Sequence, residues 1–300
     1  MYNGIINIHK EAGFTSHDVV AKMRGILRQK KIGHTGTLDP QATGVLPVCL
    51  GSGTKLCDML TDKDKEYVAE LLLGVTTDTQ DTTGEILEKK SVEVSEEAVR
   101  EAVMSFVGPY DQVPPMYSAL KVDGKKLYEL ARAGKEVERK ARPVTIHEIE
   151  ILEINLPVVS MRVSCSKGTY IRTLCADIGE KLGCGGTMQS LLRTKVERFV
   201  LEDAITLSEL EQFRNEGRIE VVLVPVDKVF AECPILHVRA DLAKLLENGN
   251  AIYPNQTEEK KYYAPGKQVR FYRNDESFAG IYAYDEKEKR YKPVKMFLER

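Results

Sequence analysis

Between Ile32 and Thr54 the chain reads IGHTGTLDPQATGVLPVCLGSGT, and Asp39 is the one side chain in that span with a full charge at neutral pH. At the chain's 29% charged content, 23 residues would carry about six or seven such groups, so this span is shaped for burial or for a ligand. A carboxylate inside it needs a partner or a task. The plain alternative is an aspartate closing a turn ahead of Pro40, since Asp-Pro is ordinary turn chemistry.

The flanking sequence supplies elements to pack around this stretch. Residues 4–8 read as a short strand, and Ser16 is placed as the cap of a helix whose stripe is Val19, Val20, Met23, Ile26 and Leu27. KEYVAELLLG alternates, putting Tyr67, Ala69, Leu71 and Leu73 on one face of a buried strand. Residues 92–107, opening at Ser95 with Glu96 and Glu97, form a second amphipathic helix. Residues 109–143 are rich in proline, glycine and lysine and read as an insertion with a short helix near Leu127 to Arg132. VTIHEIEILEI and VVSMRVSCS are strands, followed by a helix over residues 170–182 that Gly183 stops. Beyond about residue 228, short apolar runs alternate with turns such as YPNQ, APG and RND, the pattern of a small β domain.

Charge and cysteine usage exclude several classes. The formal net charge is -2, so nucleic-acid contact has to come from local clusters. Two exist, at residues 10–31 (Lys10, Lys22, Arg24, Arg28, Lys30 and Lys31) and at residues 121–142 (including Lys121, Lys125, Lys126, Arg132 and Arg139). Six cysteines form no C-x-x-C pair and the five histidines never fall at ligand spacing, so the chain is expected to hold reduced thiols and no metal. It has neither a secretion signal nor an apolar run of bilayer length, and a cytoplasmic location is expected. GSGTK lacks Walker spacing and TDTQD lacks the glycine and glutamate of a calcium loop.

Four residues stand out as chemically capable. Asp39 is held in a defined direction by Pro40. Arg172 falls in the first turn of its helix, with Thr169 as the expected cap, where a cation opposes the helix dipole and calls for an anion. Pairing the two would keep Asp39 ionised. Tyr67 opens an apolar strand with a phenol suited to stacking on a flat ligand, and His34 lies between Gly33 and Gly36, where backbone can approach a ligand. A surface arginine, a core tyrosine and a hydrogen-bonded loop histidine are the plainer alternatives.

GHTGTLDPQATGVLPVCLGSGTK, DKEYVAELLLGVTTDTQDTTG, PPMYSALKVDGKKLYELARAG and CSKGTYIRTLCADIGEKLGCGG resemble, in order and spacing, the bacterial TruB-type tRNA pseudouridine synthases. The resemblance spans residues 3–225, and the C-terminal segment more faintly resembles the PUA RNA-binding domain. It implies an α+β fold, with a pseudouridine synthase domain over 1–228 on a mainly antiparallel mixed sheet and a small, mainly β PUA-like domain over 229–300. It also implies isomerisation of the uridine at position 55 in the tRNA T loop, without cofactor or metal, by a monomer. Asp39 matches the family's catalytic aspartate, Tyr67 its active-site tyrosine and Arg172 the aspartate's partner. His34, Tyr170 and Leu191 match positions that contact the flipped nucleotide or hold the pocket. The insertion is expected to act as a hinged loop closing over tRNA.

The pattern departs from the family at His9 and Glu11, at Thr187 where a histidine is common, and at Leu192 where a second arginine often stands. Two other classes compete. A non-catalytic tRNA-binding or RNA-folding protein would need the basic clusters but not the Asp39 and Arg172 pair. A glycoside hydrolase would ordinarily need two carboxylates flanking the bond.

Overall fold

A computed structural model describes residues 1–122 and 124–298. Its centre is a large mixed sheet in which the strand Leu223–Val224 begins a row that continues with Gly4–Lys10, Thr43–Leu50, Gly186–Val196, Lys65–Leu73, Val158–Cys165, Arg142–Asn155 and Gly108–Gln112. Its pairings are antiparallel except where Thr43 and Gly44 run parallel to Leu192 and Arg193. The strands Ile32–His34 and Phe199–Val200 attach beside this row. Lys65–Leu73 alternates strictly, burying Lys65, Tyr67, Ala69, Leu71 and Leu73, which bears out the period-two reading.

Two helix-built cores pack on the sheet. Helices Glu96–Met104 and Ile171–Lys181 pack with Ala69, Leu71, Val159, Met161 and Val163 into one, and Leu38 and Ala42 of the charge-poor stretch join it. Helices Ser16–Leu27 and Leu207–Asn215 pack on Ile6, Ile8, Leu46, Val48 and Leu50 in the other. Each fully buried Leu, Ile or Val adds roughly 1.5–3 kcal/mol. The loop carrying Asp39 is thus seated against a dense interior.

Two expected caps are displaced. Helix Ser16–Leu27 is capped by Thr15 in a capping box with Asp18, leaving the Ser16 hydroxyl free to serve the Asp39 loop. Helix Ile171–Lys181 has Tyr170 as its N-cap, because the Thr169 hydroxyl donates backward to the Ser166 carbonyl at 2.9 Å. Its C-terminal side matches the reading, with Gly183 at φ 78°. The ends of the expected insertion are sheet: Arg142 and Pro143 pair with Gln112 and Asp111, so the excursion proper lies between these strands.

The C-terminal segment forms a four-stranded sheet of Ile235–His237, Gln268–Tyr272, Phe278–Asp285 and Arg290–Met296. Phe271, Tyr282 and Tyr291 fill its own core, while Ile281 and Phe297 share another with Ile5, Val45, Leu56 and Phe230. Among the described residues no helix is long and apolar enough to cross a membrane. The six cysteines are free thiols, with Cys57 and Cys233 partly exposed. No group of three or more His, Cys, Asp or Glu side chains among the described residues is arranged to hold a metal.

Candidate active site

The strands Ile32–His34 and Thr43–Leu50 pair antiparallel, so the charge-poor stretch is a wide hairpin with Asp39 in its connecting loop. That loop is gripped from several sides. The Ser16 hydroxyl accepts from Leu38 N at 2.9 Å, and Gly13 N donates to the Pro40 carbonyl at 2.9 Å. Lys10, with no exposed surface, donates its Nζ to the carbonyls of Pro40 at 3.0 Å and Ala42 at 2.6 Å. Lys10 therefore leaves the expected surface cluster and becomes an interior strut. Burial drives its ammonium down to about 8, against the pull of nearby Asp39.

Asp39 meets Arg172 as expected. Arg172 Nε lies 3.0 Å from Asp39 Oδ2, and Nη2 donates to Oδ1 at 3.4 Å. Nη1 donates to the Thr79 carbonyl at 3.1 Å and Nη2 to the Tyr117 carbonyl at 2.8 Å, with Asp81 Oδ2 3.8 Å from Nη1. A cation in a helix's first turn costs about 0.3–1 kcal/mol, whereas one hydrogen bond to a charged group contributes roughly 1.5–3 kcal/mol. The partners win, and the guanidinium is buried.

The Asp39 side chain remains 37% accessible, so it can meet a ligand while paired. Burial nevertheless raises its pKa above the ordinary carboxylate value; Arg172 and Lys10 oppose the rise and Asp81 adds to it. Pairing with Arg172 is real, but desolvation outweighs it in the net direction of the shift. The charge-poor stretch does not make a charge-poor site either. Lys10, Arg172, Asp81 and Arg193 bring charge in from other segments, because a buried carboxylate is stable only with such partners.

Tyr67 is buried in the same core as Leu38 and Ala42, and burial raises its hydroxyl's pKa while the neighbouring Arg193 charge opposes the rise. Leu191 packs on that core and lies opposite Ala69, one step from the Arg193 and Tyr67 pair. Tyr170 is fixed through its backbone, its N–H donating to Gln112 Oε1 at 2.7 Å and its carbonyl accepting from Nε2 at 2.9 Å. Burial raises its phenol too, and Asp39 and Arg172 both act on it electrostatically. His34 accepts from Gly36 N through Nδ1 at 3.3 Å and stands edge-on to His17, ring centroids 5.9 Å apart. Burial, His17 and Arg193 lower its pKa, leaving it neutral at pH 7.

Lys10, Asp81 and Arg193 were missed as site residues. Arg193 is 1% exposed and donates Nε to the Val45 carbonyl at 2.7 Å and Nη2 to Gly36 at 3.2 Å. A bulge between Met188 and Ser190 shifts the strand's phase and sets Arg193 opposite Tyr67. The parallel crossing beside it needs glycine at Gly44, at φ 103°, where a Cβ would lie 2.2 Å from the Arg193 carbonyl oxygen.

Comparison with known proteins gives the same assignment. Residues 24–171 match the family model described as TruB family pseudouridylate synthase (N terminal domain), and residues 172–231 match the tRNA pseudouridylate synthase B C-terminal domain. A protein of Lachnoclostridium phytofermentans named tRNA pseudouridine synthase B is 56% identical, covering 99% of this chain and 100% of its own. One of the same name from Alkaliphilus oremlandii is 49% identical, covering 99% of each. Among solved structures, a chain of a Cbf5-Nop10-Gar1 complex superposes with a TM-score of 0.74 at 28% identity, over 99% of this chain and 85% of that one. A chain of an H/ACA RNP bound to a substrate RNA containing 2'-deoxyuridine gives 0.72 at 25% identity, over 99% and 86%. With fold, motif order and near full-length identity agreeing, this chain belongs to the TruB family of pseudouridylate synthases.

Proposed function

We propose that this chain isomerises uridine to pseudouridine in tRNA, at position 55 of the T loop, with Asp39 as the catalytic residue. The carrying observation is the Asp39 carboxylate held by the buried Arg172 guanidinium at 3.0 Å while keeping an accessible face. The C1'–N1 bond breaks, C1'–C5 forms, C5 loses a proton and N1 gains one, so the change is mass-neutral. Asp39 begins it either by attack at C1' or by promoting deprotonation of the sugar. The detached uracil must be retained while it turns, and pocket walls serve that end.

The target base is stacked in folded tRNA and has to be extruded at a cost of a few kcal/mol. Tyr67 and Tyr170 give it aromatic surface, Leu191 an apolar wall, and neutral His34 fills the space it vacates. Tyr67 or a water takes the C5 proton. A catalytic unit over 1–228 and a PUA-like RNA-binding unit over 229–300 divide the work, in a cytoplasmic monomer that needs no metal.

The test is tritium release from tRNA labelled at uridine C5, with carbodiimide mapping of the modified position. Release from a transcript with U55 and none with C55 is expected, and absence of release would overturn the reading. Asp39→Asn should abolish release while tRNA binding survives, which separates an enzyme from a passive RNA binder. Free uracil in the medium would instead mark a glycosidase.

A further inference from the structure

We propose that Arg193 is the positioning residue that orients the Tyr67 hydroxyl toward the substrate, an inference that rests on the isomerase reading above. The two residues are cross-strand partners, and antiparallel partners present their side chains on one face. Arginine has only donors. With the buried guanidinium beside the Tyr67 phenol, the Tyr67 oxygen can only accept from it, and the single phenolic proton is turned away from the guanidinium.

Burial makes this arrangement costly. Arg193 is among the largest fully buried side chains, yet no carboxylate among the described residues stands within ion-pair distance of it. Its hydrogen-bond acceptors are the carbonyls of Val45 and Gly36, and its cross-strand neighbour is Tyr67. An uncharged side chain could tie two carbonyls together without burying a charge. A guanidinium adds a permanent positive charge beside the phenol, which favours any developing negative charge on that oxygen. The same side chain holds the Gly36 carbonyl at the start of the Asp39 loop, so Tyr67 and Asp39 are positioned from one point.

The test compares Arg193→Lys, Arg193→Met and Tyr67→Phe, alone and combined, by single-turnover rate, tRNA affinity and the 13C resonance of the Tyr67 Cζ. Removing a group that orients an acid–base residue is expected to lower the rate about a hundredfold, with tRNA affinity within about threefold. In the Tyr67→Phe background, Arg193→Lys should cost little more, since residues acting as one unit are non-additive. The Cζ resonance should move in both Arg193 variants. Additive losses, or an unmoved resonance with parallel losses of rate and affinity, would overturn the proposal. If the Arg193 variants do not fold, Tyr67→Phe alone decides: a rate within about threefold of wild type leaves nothing for Arg193 to position. A wild-type chain that makes no pseudouridine fails the isomerase reading instead, and the Cζ comparison still tests the contact.

Discussion

Arg172 Nε and Asp39 Oδ2 lie 3.0 Å apart, although 133 positions separate the two residues in sequence. One comes from the first turn of a helix and the other from a hairpin loop, and each answers the other's local problem. The cation that opposes its helix dipole gains an anion, and the carboxylate that lost solvent gains a cation. The exchange is incomplete, since burial still leaves the Asp39 carboxyl above its ordinary value.

That residue of unpaid desolvation predicts that Asp39→Asn separates stability from activity. The native pKa is raised above 3.8, so in the window above 3.8 the folded state holds more protons than the unfolded one and stability falls as pH rises. Above the folded value the penalty is fully present. Asparagine carries none, so its Tm is expected to equal or exceed that of wild type at pH 7 and to lose that advantage on acidification below the folded value. Pseudouridine formation should drop by more than about a hundredfold. A variant markedly less stable than wild type at pH 7 would contradict the assigned balance.

Arg172 opposes the rise in Asp39's pKa, so Arg172→Met should move the acid limb of the single-turnover rate to higher pH. Arg172→Lys should move it less, since lysine keeps the charge but loses the two-point contact. Both should slow the reaction, the methionine variant by about a hundredfold or more. An acid limb that stays in place in both would show that Arg172 does not act through Asp39.

Much of this site was legible because the decisive signals are local. The alternation of Lys65–Leu73 placed Tyr67 inward, and the scarcity of charge between Ile32 and Thr54 marked the loop. What stayed hidden depends on register and burial. Counting by twos from Met188 puts Ser190 and Leu192 inward, but the bulge after Met188 hands that face to Leu191 and Arg193. Lys10 looked like one member of a basic surface because sequence shows its charge and not the Pro40 and Ala42 carbonyls that surround it. The caps at Thr15 and Tyr170 were each missed by one residue, where hydroxyls such as those of Ser16 and Thr169 have competing acceptors.

Lys10 gives a prediction on the alkaline side. Its ammonium titrates at about 8 against an ordinary 10.5, and only the charged form offers three donors to the loop. Activity should therefore decline above about pH 8, while this group's contribution to stability rises from pH 8 to 10.5, where the unfolded chain holds the proton and the folded one does not. Lys10→Met removes the ammonium from the Ala42 carbonyl, at about 1–3 kcal/mol for a buried acceptor left unpaired, and leaves the Pro40 carbonyl to Gly13 N alone. Chemical denaturation and rate measurements over pH 6–10 check both signs, and an activity profile of unchanged shape in Lys10→Met would sink the assignment.

The excursion between Gln112 and Arg142 is docked at one end and open at the other, which sets where its charges can act. Tyr117 is held through its carbonyl by Arg172 at 2.8 Å and through its hydroxyl by Asp78 at 3.1 Å. Arg139 returns to the Pro114 carbonyl at 3.1 Å. The hairpin Lys121–Val122 with Lys125–Lys126 instead leaves Lys121 and Lys125 exposed, while Lys126 turns to the Tyr128 ring and hydroxyl. Exposed lysines that meet phosphate release counterions, so each one lost should reduce the slope of log affinity against log salt by about one. Lys121→Glu and Lys125→Glu are expected to weaken tRNA binding at low salt and flatten that slope, leaving the single-turnover rate at saturating enzyme within about threefold. Lys126→Glu should do less to the slope and more to the local fold, because its ammonium already has a partner within the chain. Filter binding across a salt series separates the three, and equal slopes in wild type and the Lys121 and Lys125 variants would place the RNA backbone elsewhere.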